Sequence, residues 1–229
     1  MMDVVIPLKR ITQAKSRLSG TLGTEHRATL VVAMAGDLVE MLVKHPAVGQ
    51  IHAVVGEGWE RAQLGKLGVR VVPEQSLDAV GLNAVCGRAV TGLATPHVLL
   101  LHGDLPLLTA SNVNDVACEL ARNDLVLCPD LRRRGTNAMA FATGEPPELN
   151  FGANSYARHS ESAEIQGRNW TTLLRPGLSF DLDTDQDFEM LNRACLEGRV
   201  PGVRTAEWFE QYTRNKHEAH YAAGERVSQ

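Results

Sequence analysis

The chain has 229 residues, 44 % of them hydrophobic, which is enough for one ordinary domain with an apolar core. A formal charge of -4 gives no global attraction to nucleic acid or to an anionic membrane, so an anionic ligand must be gripped by a local basic cluster. The opening MMDVVIPLKR lacks a signal-peptide core, and no apolar run approaches bilayer length, which predicts a cytoplasmic protein.

The apolar run Val4 to Leu8 predicts a first strand. Beyond it Lys9, Arg10, Lys15 and Arg17 put four cations in one loop. Lys and Arg at the carboxyl end of a strand suit a triphosphate, the alternative being a solvated basic loop. Neither G-x-G-x-x-G nor G-x-x-x-x-G-K-[ST] follows the strand, so hydride transfer and P-loop hydrolysis lose support. Leu30, Met34, Leu38 and Leu42 recur every four residues between a Thr24 cap and Pro46, predicting a helix.

Strands are predicted over Ile51 to Val55 and Val69 to Val72. Gly81 and Asn83 then open a helix carrying Leu82, Val85 and Ala89. Glycine there lets a base approach the backbone and Asn83 offers donors and acceptors, unless Asn83 is an ordinary polar helix residue. A strand over His97 to Leu101 runs into Gly103, Asp104 and Pro106. A carboxylate at that edge can take a metal, or it can merely start a turn. A helix follows over Val113, Val116, Ala117 and Leu120.

Strands over Leu125 to Cys128 and Ala138 to Ala142 flank DLRRRGTN at 130 to 137. Its arginines and Thr136 suit a phosphate or carboxylate, with a solvated basic hairpin as the rival. Gly152 and Ser155 precede a helical stretch bearing Arg158 and His159, where backbone amides and a hydroxyl can hold an anion, or Ser155 can simply cap the helix.

A strand is predicted over Leu178 to Leu182, and in the segment Phe180 to Thr184 the carboxylates of Asp181 and Asp183, separated by one residue on extended chain, face the same side. Magnesium takes oxygen ligands, often one or two carboxylates plus substrate phosphates, which matches Asp104 with Asp181 and Asp183; capping by Asp183 or Thr184 is the rival. Phe188, Leu191 and Ala194 form a helix behind Thr184, and from Thr205 a polar helix leads into a tail. His217 and His220 have no third ligand and read as surface residues. Cys86, Cys118, Cys128 and Cys195 form no Cys-x-x-Cys pair, which predicts buried, reduced thiols.

Strands alternating with amphipathic segments predict an α/β fold in three layers on a mostly parallel sheet, one domain over 1–204 followed by a helix and tail over 205–229. The ordered motifs IPLKR, AKSRL, GLN, HGDLPLL, RGTNAM, FGANSYARH and FDLDTDQDF resemble the phospholactate guanylyltransferase family of deazaflavin coenzyme F-420 biosynthesis. The resemblance implies a glycosyltransferase-A-like nucleotidyltransferase fold, GTP, magnesium, and an acceptor that is 2-phospho-L-lactate, phosphoenolpyruvate or 3-phospho-D-glycerate. It implies Lys9, Lys15 and Arg17 on the triphosphate, Gly81 and Asn83 near guanine, and Asp104, Asp181 and Asp183 on magnesium. Thr136, Gly152 and Ser155 would face the acceptor.

The segment beyond Gly198 matches no motif and is left to pack a homodimer or to cap the fold. Rival readings are a nucleotidyltransferase for another phosphorylated acceptor and a non-catalytic nucleotide-binding regulator. The second is disfavoured because all three aspartates are present.

Overall fold

The structure, a computed structural model, describes every residue except 12, 13, 60 and 226–229; the side chains of 61–63, 217 and 219–225 are also outside the description. The His217 and His220 side chains and the end of the tail therefore lie outside the described residues.

The apolar runs assemble into one sheet of seven strands: β1 (Met2–Leu8), β2 (Val48–Val55), β3 (Arg70–Pro73), β4 (His97–Leu101), β5 (Leu125–Pro129), β6 (Thr136–Ala142) and β7 (Trp170–Thr172). Their order is β3-β2-β1-β4-β6-β5-β7, and all pairings are parallel except those of β6, which runs antiparallel to β4 and to β5. β1 is apolar almost throughout because it is central and covered on both faces.

The helices are α1 (Thr24–Val43), α2 (Arg61–Lys66), α3 (Leu82–Val90), α4 (Ala110–Leu120), α5 (Ser155–Ile165), α6 (Pro176–Ser179), α7 (Asp185–Leu196) and α8 (Val203–Glu225). One apolar layer joins α1, α4, α7 and α8 to the sheet through Leu30, Met34, Val116, Leu191 and Phe209. The opposite layer joins α3 and α5 through Val85, Cys86, Val90 and Ala163. This is the expected three-layer α/β architecture.

Several local expectations are corrected. Thr24 is the first residue of α1, and the cap position is Gly23 in extended conformation, with no side chain to bond. The run Leu178 to Leu182 is not a strand. Pro176, whose fixed φ suits a first helical turn, starts α6, and the chain beyond it joins no strand ladder, with Leu182 N donating instead to Asp104 O at 3.2 Å. Leu178, Phe180 and Leu182 still sink into the core, so their apolar spacing reports burial without a ladder. The strand at that edge is β7. Cys86 and Cys128 are buried, but Cys118 is exposed and Cys195 half-buried; all are free thiols.

Thr184 does cap α7. Its Oγ1 accepts from Asp187 N at 3.3 Å, and the Asp187 carboxylate accepts from Thr184 N at 2.7 Å. The C-terminal helix starts at Val203, two residues before the predicted Thr205, because α1 supplies its cap. Asp37 Oδ1 accepts from Arg204 N at 2.9 Å, and Oδ2 accepts from Thr205 N at 2.8 Å and from Thr205 Oγ1 at 2.7 Å. A Cβ on Gly202 would stand 2.2 Å from Asp37 Oδ2, so only glycine lets the chain pass. Phe209 enters the main core and packs against Phe188 with ring centroids 5.1 Å apart, making α8 part of the fold. Among the described residues no helix is long and apolar enough to cross a membrane.

Candidate active site

The order β3-β2-β1-β4 places a reversal of strand progression between β1 and β4, where open α/β sheets form a crevice at the carboxyl edge. A cleft of about 290 Å³ opens there. It is lined by Lys9, Lys15 and Arg17 after β1, Leu82 at the start of α3, and His102 and Asp104 beyond β4.

Backbone contacts hold the basic loop. Gly56 N donates to Leu8 O at 2.8 Å, Trp59 Nε1 donates to Lys9 O at 2.8 Å, and a Cβ on Gly56 would stand 2.6 Å from Arg10 N. Lys15 adopts left-handed backbone, with φ of 55°. Its Nζ donates to Asp104 Oδ2 and, at 2.8 Å, to Asp183 Oδ1, with the side chain only 8 % exposed. Arg17 Nη1 lies 3.6 Å from Asp183 Oδ2 and is mostly in solvent, as Lys9 is.

Burial opposes the charge on Lys15, but Asp104 and Asp183 outweigh it and raise the ammonium above its ordinary pKa. Burial likewise opposes ionisation of Asp104, and Lys15 overcomes it, holding that carboxyl below its usual range. Asp181 is pushed up to about 6 by burial first and by Asp104 and Asp183 next, against the hydrogen bond it accepts from Asn137 Nδ2 at 3.3 Å. The three carboxylates therefore feel one another. Phe180 and Leu182 alternate with Asp181 and Asp183 in burial, so the spacing argument for the two acids survives without a strand.

Among the described residues no three His, Cys, Asp or Glu side chains stand in ready metal geometry, and Lys15 Nζ lies between two of the acids. The donor chemistry nevertheless fits a divalent cation of the magnesium type. All three groups are hard oxygen donors, they crowd like charge, and Asp104 Oδ1 is buried without any partner.

A second cluster adjoins the first because β6 runs antiparallel to β4, bringing its start beside the carboxyl end of that strand. Asn137 O accepts from His102 N at 3.0 Å. Thr136 N donates to Ser155 Oγ at 2.9 Å, and Thr136 Oγ1 lies 2.9 Å from His159 Nδ1. Ser155 does not cap α5; it is the first helical residue, behind Asn154 in left-handed conformation. Gly152, with φ of +123°, makes the turn before it.

Gly81 precedes α3 with φ of +85° and open space where a Cβ would stand. Asn83 is engaged at both ends: Oδ1 accepts from Phe151 N at 2.7 Å and Nδ2 donates to Phe151 O at 3.3 Å. It ties the start of α3 to the Gly152 loop. Arg132, Arg133 and Arg134 are exposed on the β5–β6 hairpin, whose turn is fixed by Asp130 accepting from Arg134 N and Gly135 N, each at 2.8 Å.

Sequence reasoning missed His102 as an individual residue. Its Nε2 is buried without a partner, its ring lies 5.4 Å from that of Phe151, and burial lowers its pKa. Its position as the first residue beyond β4, two before Asp104, was the available signal.

Comparison with known proteins identifies the family of the chain. The family described as guanylyl transferase, CofC-like, matches residues 2–199. A phosphoenolpyruvate guanylyltransferase of Chloroflexus aggregans is 32 % identical over 205 residues, spanning 87 % of this chain and 99 % of its own. A 3-phospho-D-glycerate guanylyltransferase of Phenylobacterium zucineum is 33 % identical over 214 residues, spanning 90 % and 94 %. Among solved structures, a Desulfovibrio desulfuricans protein described as a nucleotide-diphospho-sugar transferase superposes with a TM-score of 0.75 at 16 % identity, covering 93 % of this chain and 99 % of its own. A nucleotidyl transferase of Methanothermobacter thermautotroptrophicus gives 0.57 at 15 %, covering 86 % and 99 %. The two structures share the fold, and the chain belongs to the CofC-like guanylyl transferase family of nucleotidyltransferases.

Proposed function

We propose that the chain transfers GMP from GTP to a phosphorylated three-carbon acid, releasing diphosphate, as a step of deazaflavin coenzyme F-420 biosynthesis. The observation that carries this reading is Lys15 Nζ held between Asp104 and Asp183 at the carboxyl edge of β1 and β4, in a member of a guanylyl transferase family. The acceptor is 2-phospho-L-lactate, phosphoenolpyruvate or 3-phospho-D-glycerate; the relatives of Chloroflexus aggregans and Phenylobacterium zucineum are guanylyltransferases of the second and third.

In this reading an oxygen of the acceptor phosphate bonds to the α-phosphorus of GTP while the bond from that phosphorus to the β-phosphate oxygen breaks. Diphosphate leaves and a diphosphate diester remains. A phosphate monoester has a second pKa of about 6 and is already an anion at neutral pH, so no protein base is needed. The difficulty is repulsion between two anions, and the residues present address it by position and charge.

Lys9, Lys15 and Arg17 grip the triphosphate, Lys15 being aimed by its two carboxylate partners. Gly81 leaves backbone open to guanine, and Asn83 holds that helix start to the acceptor loop. Thr136, Gly152 and Ser155 face the acceptor. Asp104, Asp181 and Asp183 would hold a magnesium ion, which when bound supplies positive charge against the phosphates.

Diphosphate release from GTP in magnesium buffer, with each of the three acids in turn, tests the proposal. Release that needs both GTP and one of the acids, and falls sharply with ATP, CTP or UTP, is expected. Silence with all three acids from folded protein would overturn it.

A further inference from the structure

His159, Thr136 and Ser155 are each 2 % exposed, and they fix one another's hydrogens. Asn150 N, a backbone amide that can only donate, lies 2.8 Å from His159 Nε2, so that nitrogen must present a lone pair. A ring with a bare Nε2 carries its proton on Nδ1, and Nδ1 faces Thr136 Oγ1 at 2.9 Å. Burial first, then the neighbouring Arg158, lowers the pKa of His159 to about 4, which agrees with a neutral ring.

The consequence passes down the chain of bonds. Thr136 Oγ1 accepts from His159, so its own proton points elsewhere, and among the described residues nothing accepts it. Ser155 Oγ accepts from Thr136 N at 2.9 Å, and its proton is likewise uncommitted. Two hydroxyls at the start of β6 and α5 thus have one lone pair occupied by protein and a proton to give.

We infer that His159 is a positioning residue: through Nδ1–H it sets the Thr136 hydroxyl as a donor, so that Thr136 and Ser155 together select an oxyanion of the acceptor. This rests on the proposed function only in naming the acceptor as the source of that oxyanion. The imidazole touches no reacting atom. It determines which way a hydroxyl proton points.

The tautomer can be read directly from the ring nitrogens of His159 by heteronuclear NMR of the full chain without substrates. The Nδ1–H form is expected, and the Nε2–H form would overturn the inference whatever the protein's activity. Two variants then test the consequence. His159→Asn keeps a donor near the Nδ1 position, whereas the longer His159→Gln carries its amide to the Nε2 position, where its oxygen can accept from Asn150 N, and leaves no donor for Thr136. The Gln variant is expected to raise the acceptor KM about tenfold with GTP KM unchanged, and the Asn variant to stay near the parent. Equal effects of both variants, or a parallel rise in GTP KM, would mean a merely structural histidine. Absence of turnover with every acid would defeat the function reading while leaving the tautomer result standing.

Discussion

Lys15 and the carboxylates that hold it show how one side chain sets the chemistry of its neighbours. Asp104 remains ionised in a partly dry cleft because Lys15 outweighs its burial, and its second oxygen stays unpartnered. Asp104→Asn is therefore expected to lower turnover at least about a hundredfold while leaving the fold intact, as read by rate assays and circular dichroism. Unchanged metal-dependent turnover would remove Asp104 from the site. His159 gives a pH prediction of defined sign. Its folded pKa of about 4 lies below the ordinary 6.5, so between those values the unfolded chain binds more protons. The stability from keeping this ring neutral is complete above about pH 6.5 and is lost as pH falls toward 4, in all about 3 kcal/mol. Urea midpoints at neutral and mildly acidic pH should separate more for the parent than for His159→Gln; equal separations would contradict the assignment.

At the scale of elements, α8 is held by a side chain rather than by its own sequence. Asp37 of α1 accepts from two backbone amides of α8, so Asp37→Ala should cost about 1–2 kcal/mol by chemical denaturation, and a cost near zero would mean the helix does not need its cap. That interaction was not legible in the sequence, because nothing near Asp37 marks a partner more than 160 residues away. Six of the seven strands were legible because each carries a run of apolar residues; β1, β2, β4, β5 and β6 are largely buried, and β3 shows Val71 and Val72 even at the sheet edge. The error at Leu178 to Leu182 has the same origin. Apolar spacing reports what is buried, and α6 with the extended chain beyond it buries Leu178, Phe180 and Leu182 without pairing. β7 was missed because Trp170, Thr171 and Thr172 are each half-buried at a sheet edge and so too polar to stand out. Asp104 and the Lys15 loop were legible because each follows a strand and must lie on one edge of the sheet, whereas Asp181 and Asp183 were found through their one-residue spacing although the segment that carries them is not a strand. The tie from Asn83 to Phe151 depends on packing between layers that local pattern does not encode.

At the scale of the molecule, a net charge of -4 is arranged so that cations gather at the carboxyl edge of β1, where two anionic substrates would have to meet. The C-terminal helix packs on α1 and α7 and enters the main core through Phe209, which is buried against Phe188. Removing residues 203–229 should cost at least about 3–5 kcal/mol, a large share of a domain's ordinary stability, and calorimetry should show the cooperative transition lost or far lowered. An unchanged transition would make the helix an appendage. The proposed reaction requires that the acceptor's phosphate, not water, attack the α-phosphorus of GTP. The most direct measurement uses an acid whose phosphate oxygens carry a heavy-oxygen label and follows the products by mass spectrometry. Label retained entirely in a GMP-linked diester, with unlabelled diphosphate released, is expected; label in the diphosphate, or free GMP formed without the diester, would contradict direct attack by the acceptor.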